Sequence, residues 1–294
     1  MSEAYANTSR SITQDTVEMS TDEKYLFDLL GFVVVRDVLS KQDLALANKA
    51  IDSMELTQSP EYFGESTALK GKNNSTRLGQ SGSLLELPKP YCDPFREMLA
   101  HPKTTPHLNT ILGEGWRLDH GPGLIAMDKG CSGGMLHGSF DNAPYFYKEG
   151  KIFTGLTVIE YLLADEGPGD GGISVVAGSH KANLTCPAKM LRWEQYQEYV
   201  TEVHAKAGDA VIFTEACTHG TLPWVADHQR RAILYKYNAG HMSWGGGGLA
   251  GPVSYWDELT PAQQAALLLP THHSRRPKAS NDYKGVEQIN GTGG

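Results

Sequence analysis

The sequence predicts a mainly β protein with flanking helices, built as a jelly roll. Beyond Trp116, short apolar runs alternate with glycine-rich turns, and evenly spaced short strands of this kind are typical of a closed or two-sheet β-architecture. The 294 residues are 40% hydrophobic and 20% charged, which provides enough apolar material for a sizeable core. The predicted strand runs cover residues 124–127, 153–163, 173–176, 210–213 and 232–237.

Helical patterns precede these strands. Apolar residues at helical spacing over 21–30, ended by Gly31, predict a first helix, and the β-branched run 32–35 predicts a buried strand. Ser40 is expected to cap a second helix over 44–54. The polar stretch 55–85 predicts a long loop, and 90–112 is expected to be helical in pieces.

The domain organisation predicted from this pattern is simple. Residues 1–20 are polar and are expected to form a flexible leader, and 21–294 are expected to form one domain with an irregular C-terminal tail that contains an amphipathic stretch over 260–269. We find no internal repeat and no convincing linker. The sequence does not indicate an oligomeric state.

Charge and composition narrow the classes of partner. The formal net charge of -8 argues against nucleic acid or an anionic membrane, since either usually needs a basic face. No run of about 18 apolar residues is present, and the first twenty residues lack the apolar stretch of a secretory signal. The four cysteines form no C-x-x-C pair, so we expect reduced thiols. These observations predict a soluble, cytoplasmic protein that acts on a small molecule.

Two histidines carry most of the chemical information. His137 follows Met135-Leu136, and His219 follows the predicted strand 210–213. Neutral imidazoles from two strands are suitable ligands for a transition metal such as iron(II). Between them lies a turn, strand and turn ending in Gly178-Ser179-His180, and Arg230 follows His219 by eleven positions.

This order of residues resembles the phytanoyl-CoA dioxygenase family of iron(II)/2-oxoglutarate oxygenases. The similarity runs from about Tyr25 to Tyr237 and is most specific in the Gly178-Ser179-His180 turn and in the spacing from His219 to Arg230. The resemblance implies a cupin-like double-stranded β-helix, and iron(II), 2-oxoglutarate and O₂ as cofactors. It also implies that His137 and His219 bind the metal and that Arg230, helped by Thr221, binds the far carboxylate of 2-oxoglutarate.

The residues themselves are compatible with these roles. A guanidinium forms the bidentate carboxylate pair that lysine cannot reproduce, and strand alternation would direct Arg231 to the face opposite Arg230. The Thr221 hydroxyl has an alternative role in bonding the backbone of a turn. His120 is a further candidate for contact with cosubstrate or substrate, whereas His180 is expected to be structural.

Ser139 departs from the family pattern, because an aspartate normally stands two residues after the first histidine. Residues i and i+2 of a strand lie on one face about 6.6 Å apart, which lets a histidine and an aspartate share one metal. A serine hydroxyl is a weak ligand for iron(II). Asp141 would lie about 13 Å along an extended strand, so it can bind the metal only if the chain bends sharply after Gly138.

Three outcomes follow from this departure. If Asp141 or another acid reaches the metal, we expect an enzyme that hydroxylates or otherwise oxidises an unactivated C–H bond of a small organic substrate. If the position stays open, chloride can fill it, as in the iron/2-oxoglutarate halogenases that the site then resembles. The third outcome is a ligand-binding protein with weak or no turnover. Aromatic residues after His137, among them Tyr145, Phe146 and Tyr147, are expected to line the substrate or to pack at the barrel rim.

Overall fold

The computed structural model describes residues 18–54, 75–78, 83–138, 144–244 and 253–271. Within these residues, six strands form one sheet in the order β1-β10-β7-β12-β3-β2, four form a second in the order β4-β11-β8-β9, and β5 and β6 form a hairpin. The strands are β1 Phe32–Val35, β2 Ser75–Leu78, β3 Arg117–Met127, β4 Gly134–His137, β5 Phe146–Lys148, β6 Lys151–Phe153, β7 Thr157–Leu162, β8 Gly172–Val175, β9 Thr201–Glu202, β10 Ala210–Thr214, β11 His219–Leu222 and β12 Arg230–Asn238.

The pairs in these sheets are antiparallel, and the fold is the predicted jelly roll with flanking helices. Alternation along β7 shows how its two faces are used. Val158 and Leu162 pack with Ile173 and Val175 of β8, so this face lies between the sheets. Such alternation follows from the pleat, which sends successive side chains to opposite faces.

The other face of the six-stranded sheet packs on the helices. The helices are α1 Thr21–Leu30, α2 Lys41–Asp52, α3 Asp93–Met98, α4 Thr105–Leu112, α5 Ala188–Leu191 and α6 Pro261–Ala266. Phe27 of α1 and Ile51 of α2 belong to the same buried cluster as Ile159 and Tyr161 of β7. This cluster is the larger core and packs behind the six-stranded sheet, whose strand β12 carries Arg230 and Lys236.

Buried tyrosines hydrogen-bond the six-stranded sheet to the C-terminal end of α3. The hydroxyl of Tyr235 donates to the Phe95 carbonyl at 2.5 Å, that of Tyr161 to the Met98 carbonyl at 2.9 Å, and that of Tyr237 to the Leu99 carbonyl at 3.0 Å. The last carbonyls of a helix have no partner within the helix. The phenol groups therefore satisfy the helix end while their rings fill the core.

Several local predictions are confirmed. Helix α1 spans the predicted residues, with Ser20 in a capping box and Gly31 ending it at φ 84°. Strand β1 is buried as predicted, and Ser40 caps α2, which begins at Lys41 rather than at residue 44. The prediction of one continuous strand over 153–163 is wrong, because this run is divided between the hairpin strand β6 and the core strand β7.

Two predictions about irregular segments need correction. The leader was expected to extend to residue 20, but Met19 is buried and its backbone N–H donates to Thr110 Oγ1 at 3.0 Å. The expected loop 55–85 contains β2, which pairs with β3 at the edge of the larger sheet. Most of that loop, and residues 1–17, lie outside the described residues. Within the described ranges, no helix combines the length and apolar character needed to cross a membrane.

We predict that Tyr161→Phe lowers the free energy of unfolding by about 1–2 kcal/mol, because the substitution removes a buried donor that bonds the Met98 carbonyl and contacts Thr104 Oγ1. Urea denaturation measures the change. Tyr25→Phe is the control, since Tyr25 is exposed and its substitution is expected to leave stability unchanged. Equal stabilities of the two variants would contradict the role given to this hydroxyl.

Candidate metal centre

His137 and His219 come together where β4 pairs with β11 in the four-stranded sheet. The register places His219 directly opposite His137, and their ring centroids are 4.2 Å apart. Directly opposed residues of an antiparallel pair point to the same face of the sheet. The two histidines predicted from the sequence therefore converge, although they are 82 positions apart in the chain.

The backbone holds both rings in one tautomer. His219 Nδ1 donates to the Cys217 carbonyl at 2.8 Å, and His137 Nδ1 donates to the Met135 carbonyl at 3.2 Å. Because a carbonyl only accepts, each Nδ1 carries hydrogen and the lone pair of each neutral ring is at Nε2. Metal-binding histidines commonly have this arrangement, in which the second ring nitrogen is bonded and orients the ligand.

Glu215, which was not predicted from the sequence, places a carboxylate beside the two histidines. Its Oε2 lies 3.7 Å from His219 Nε2, and one ligand atom from each of His137, Glu215 and His219 lies within 4.8 Å of the others. Glu215 and His219 are buried, whereas His137 is exposed. Two imidazole nitrogens and one carboxylate form the donor set that non-haem iron(II) oxygenases use.

The charges around the three residues favour metal binding. Lys236 of β12 donates to Glu215 Oε1 at 2.6 Å. Burial of Glu215 opposes its ionisation, but His219 and Lys236 outweigh this effect and lower its pKa to about 2. Burial, aided by His137, lowers the pKa of His219 to about 3. At neutral pH the centre therefore holds an ionised carboxylate and a neutral buried imidazole, as a metal requires.

The turn between β10 and β11 fixes the position of Glu215. The Glu215 N–H donates to the Leu156 carbonyl at 2.9 Å, and the Cys217 N–H donates to the Thr214 carbonyl at 2.9 Å. Thr214 Oγ1 in turn lies 2.7 Å from Thr154 Oγ1. The carboxylate is thus held by a hydrogen-bonded turn rather than by the strand that carries His137.

Gly138 lets the chain pass close to this turn. A Cβ atom there would lie 2.5 Å from the Cys217 carbonyl oxygen and 2.9 Å from that of Glu215, and φ is +113°. Strand β4 ends at His137, one residue before this close approach. Ser139 and Asp141 themselves lie outside the described residues. One signal in the sequence pointed to Glu215: it is an acid four positions before His219 at the end of an apolar strand.

The residues expected to bind the cosubstrate, Arg230, Thr221 and His120, lie on β12, β11 and β3. Arg230 is buried, its Nε donates to Glu166 Oε1 at 2.7 Å and its Nη2 donates to Glu160 Oε1. Thr221 is buried two residues after His219 on β11. His120 is half-buried, stands opposite Lys236 in the register of β3 and β12, and has its Nδ1 2.7 Å from Asp119 Oδ1.

Two further predictions concern residues near the centre. Arg231 reaches Asp52 of α2 at 2.7 Å, on the face opposite Arg230, as strand alternation predicted. His180 is structural, since its Nε2 donates to the Asp28 carbonyl at 2.9 Å, and Tyr145 packs against its ring. Of the aromatic residues after His137, Phe146 and Tyr147 are exposed on the β5–β6 hairpin.

Comparison with known proteins now identifies the family. Residues 27–232 match the family described as phytanoyl-CoA dioxygenase (PhyH). The chain belongs to this family of iron(II)/2-oxoglutarate-dependent oxygenases. A search of curated proteins gave no match.

Solved structures share the fold at low sequence identity. HygX from Streptomyces hygroscopicus, with nickel, 2-oxoglutarate and hygromycin B bound, is 18% identical, with a TM-score of 0.63 over 76% of this chain and 89% of HygX. SnoN, an α-ketoglutarate-dependent epimerase from nogalamycin biosynthesis, is 17% identical, with a TM-score of 0.55 over 88% and 97%. EctD from S. alaskensis is 18% identical, with a TM-score of 0.53 over 78% and 79%. At these identities the similarity establishes the fold alone.

The first site prediction tests the third ligand. Glu215→Gln is expected to lower iron(II) affinity by at least about 100-fold, because loss of a ligand costs more than the 10–100-fold that loss of an outer-shell partner costs. Anaerobic chelator competition measures the affinity. Ser139→Ala serves as the matched variant and is expected to bind iron(II) like the unaltered chain. The reverse pattern, with Ser139→Ala impaired and Glu215→Gln intact, would show that the third ligand comes from elsewhere.

The second site prediction concerns the close approach at Gly138. Gly138→Ala is expected to weaken iron(II) binding at least tenfold, or about 1.4 kcal/mol, because the new Cβ pushes on the turn that carries Glu215. Gly130→Ala is the control, since Gly130 also has a positive φ, 90°, but a Cβ there meets nothing within 4 Å. Isothermal titration separates the two variants. Equal losses would assign the effect to backbone strain alone.

Proposed function

We propose that this protein oxidises an unactivated C–H bond of a small organic substrate, with iron(II) held by His137, Glu215 and His219. The observation that carries the proposal is the convergence of these three donors in a member of an iron(II)/2-oxoglutarate oxygenase family. Hydroxylation is the simplest such reaction. One C–H substrate, one O₂ and one 2-oxoglutarate then yield alcohol, succinate and CO₂.

The bound metal and cosubstrate supply the oxidising power, and the protein supplies orientation and a dry surrounding. The buried pair Glu215 and His219 anchors the metal from inside the barrel, while exposed His137 stands at the mouth. We place the substrate at this open side. Phe146 and Phe153 stack at 4.9 Å on the exposed hairpin that follows His137 in the chain and offer an apolar surface for a ring-containing substrate.

Lys236 supports this arrangement by holding one carboxylate oxygen of Glu215. The 2.6 Å contact to Oε1 leaves Oε2 on the side of His219. One oxygen is therefore committed to an ion pair and the other is available to the metal. His120 of β3 lies opposite Lys236 in the register, and we propose that it contacts substrate or cosubstrate from there.

Hydroxylation, rather than halogenation, is favoured by Glu215. A halogenase of this superfamily needs a coordination position without a carboxylate, into which chloride can enter. In this chain, a carboxylate from the β10–β11 turn compensates for Ser139. The same carboxylate argues against a ligand-binding protein without catalysis, because the donor set is complete. The neighbour HygX has hygromycin B bound, which makes an organic molecule of antibiotic size a reasonable first substrate class.

We predict that the iron(II)-loaded protein, with ascorbate supplied as the two-electron reductant in place of substrate, converts 2-oxoglutarate and O₂ to succinate, CO₂ and water. His219→Ala is expected to abolish this turnover, because the variant lacks a buried metal ligand. Succinate is measured by mass spectrometry, with Tyr25→Phe as an exposed control that should turn over normally. Absence of succinate from the iron(II)-loaded protein would contradict an oxygenase function.

The same reaction, run with a small-molecule extract and with or without chloride, separates the reaction types. Products that gain oxygen under both conditions support hydroxylation. Products that gain chlorine only when halide is present would contradict hydroxylation and show that the reaction is halogenation. A Ser139→Asp variant is expected to leave the product unchanged, since Glu215 already supplies the carboxylate.

A further inference from the structure

We infer that binding of 2-oxoglutarate at Arg230 takes up one proton, because two buried glutamates already occupy the guanidinium. This inference rests on the proposed function, and it concerns how the cosubstrate enters rather than which substrate is oxidised. Glu160, Glu166 and Arg230 together form the arginine cluster.

The arginine cluster is closed to solvent and internally bonded. Arg230 Nε donates to Glu166 Oε1 at 2.7 Å, and Nη2 donates to Glu160 Oε1, while Nη1 faces the sulfur of Met127 at 3.8 Å. Arg230, Glu160 and Glu166 are each 1% exposed. Two carboxylates therefore face one guanidinium, and with both ionised the cluster has a net charge of -1.

Backbone hydrogen bonds hold Glu166 in position beside Arg230. Its Oε2 accepts a hydrogen bond from the Ile173 N–H at 3.0 Å, and its backbone exchanges hydrogen bonds with Ala205 at 2.9 and 3.0 Å. A Cβ on Gly172 would lie 2.1 Å from Oε2, so the glycine leaves the space that the carboxylate fills. Glu166 is thus a positioned ion-pair partner of Arg230.

The far carboxylate of 2-oxoglutarate would be the third carboxylate on this guanidinium. Without compensation, the cluster charge would change from -1 to -2 in a water-excluded space, where repulsion between like charges is strong. The polar neighbours from the surrounding elements are the Met127 sulfur from β3 and the Ile173 N–H from β8. In the described chain, the bonds of the cluster involve no second cation; Lys236 on the same strand is bonded to Glu215.

Proton uptake by the glutamate pair resolves this conflict. Protonation of one carboxyl makes the cluster neutral, and the incoming carboxylate returns its charge to -1, the value before binding. Burial raises the pKa of Glu166, Arg230 opposes the rise and Glu160 adds to it, so a proton is accepted here more readily than on an ordinary glutamate. A protonated carboxyl also donates a hydrogen bond to the entering carboxylate.

Calorimetry of the full chain loaded with Ni²⁺ tests the inference. Each of two ligands, 2-oxoglutarate and 2-oxopentanoate, is titrated in two buffers that differ in ionisation enthalpy, which gives the number of protons taken up. The second ligand chelates the metal identically but has no far carboxylate. Above the pKa of the cluster, we expect 2-oxoglutarate to take up close to one proton more than 2-oxopentanoate. Its Kd should rise by up to about tenfold for each pH unit above the pKa of the cluster, since one proton is linked to binding.

Substitution of the cluster gives the matched comparison. Glu166→Gln removes one charge and is expected to bind 2-oxoglutarate more tightly at alkaline pH without the extra proton, and Glu160→Gln is a second variant with the same expectation. Asp209→Asn is the control, because Asp209 is a buried carboxylate paired with a different arginine, Arg36, at 2.7 Å. Its proton count should equal that of the unaltered chain.

The results separate this inference from the function on which it rests. Equal proton counts for the two ligands would overturn the inference while leaving metal chelation by a 2-oxo acid intact. Failure of both ligands to bind would overturn the proposed function and the inference with it. The measurement on the unaltered chain decides the question even if a glutamate variant does not fold.

Discussion

The pairing of β4 with β11 is the constraint on which the site depends. It places His219 opposite His137 and brings the β10–β11 turn, with Glu215, against the end of β4 at Gly138. A slip of one residue would send His219 to the other face of the sheet, because side chains alternate along a strand. The antiparallel register to β8 on the other side of β11 and the bonded turn before it hold the pairing in place.

Two groups of buried charges beside the site have different charge balances. Near the histidines, Lys236 offsets Glu215, which stays ionised and can bind a cation. At Arg230, two carboxylates exceed one guanidinium, so the negative charge is in excess. Buried charges are costly unless paired, and both groups follow that rule with strong hydrogen bonds. The first group is suited to hold a metal, and our inference of proton uptake on dianion binding rests on the second.

Local prediction succeeded where neighbouring residues decide the outcome. Ser20, Gly31 and Ser40 mark helix ends through bonds within one turn, and the alternating apolar runs give strands whatever their partners are. The reasoning about a third ligand started from the strand position of Ser139 and did not name Glu215, which the β10–β11 turn brings to the histidines. Strand β4 stops at His137 because Gly138 adopts a positive φ against the Cys217 carbonyl, a contact with a distant segment. No local pattern around residue 138 contains that information.

The sequence by itself determined the β-architecture, the helix boundaries to within a few residues and the two imidazoles, since these follow from periodicity, capping and residue type. Only the tertiary structure decided that Glu215 joins the imidazoles and that Arg230 is already bonded. Glu166 and Glu160 lie 64 and 70 positions from Arg230, and their meeting depends on how β7 and β12 are aligned. Contacts across such separations arise from strand register and packing, which every part of the chain sets together.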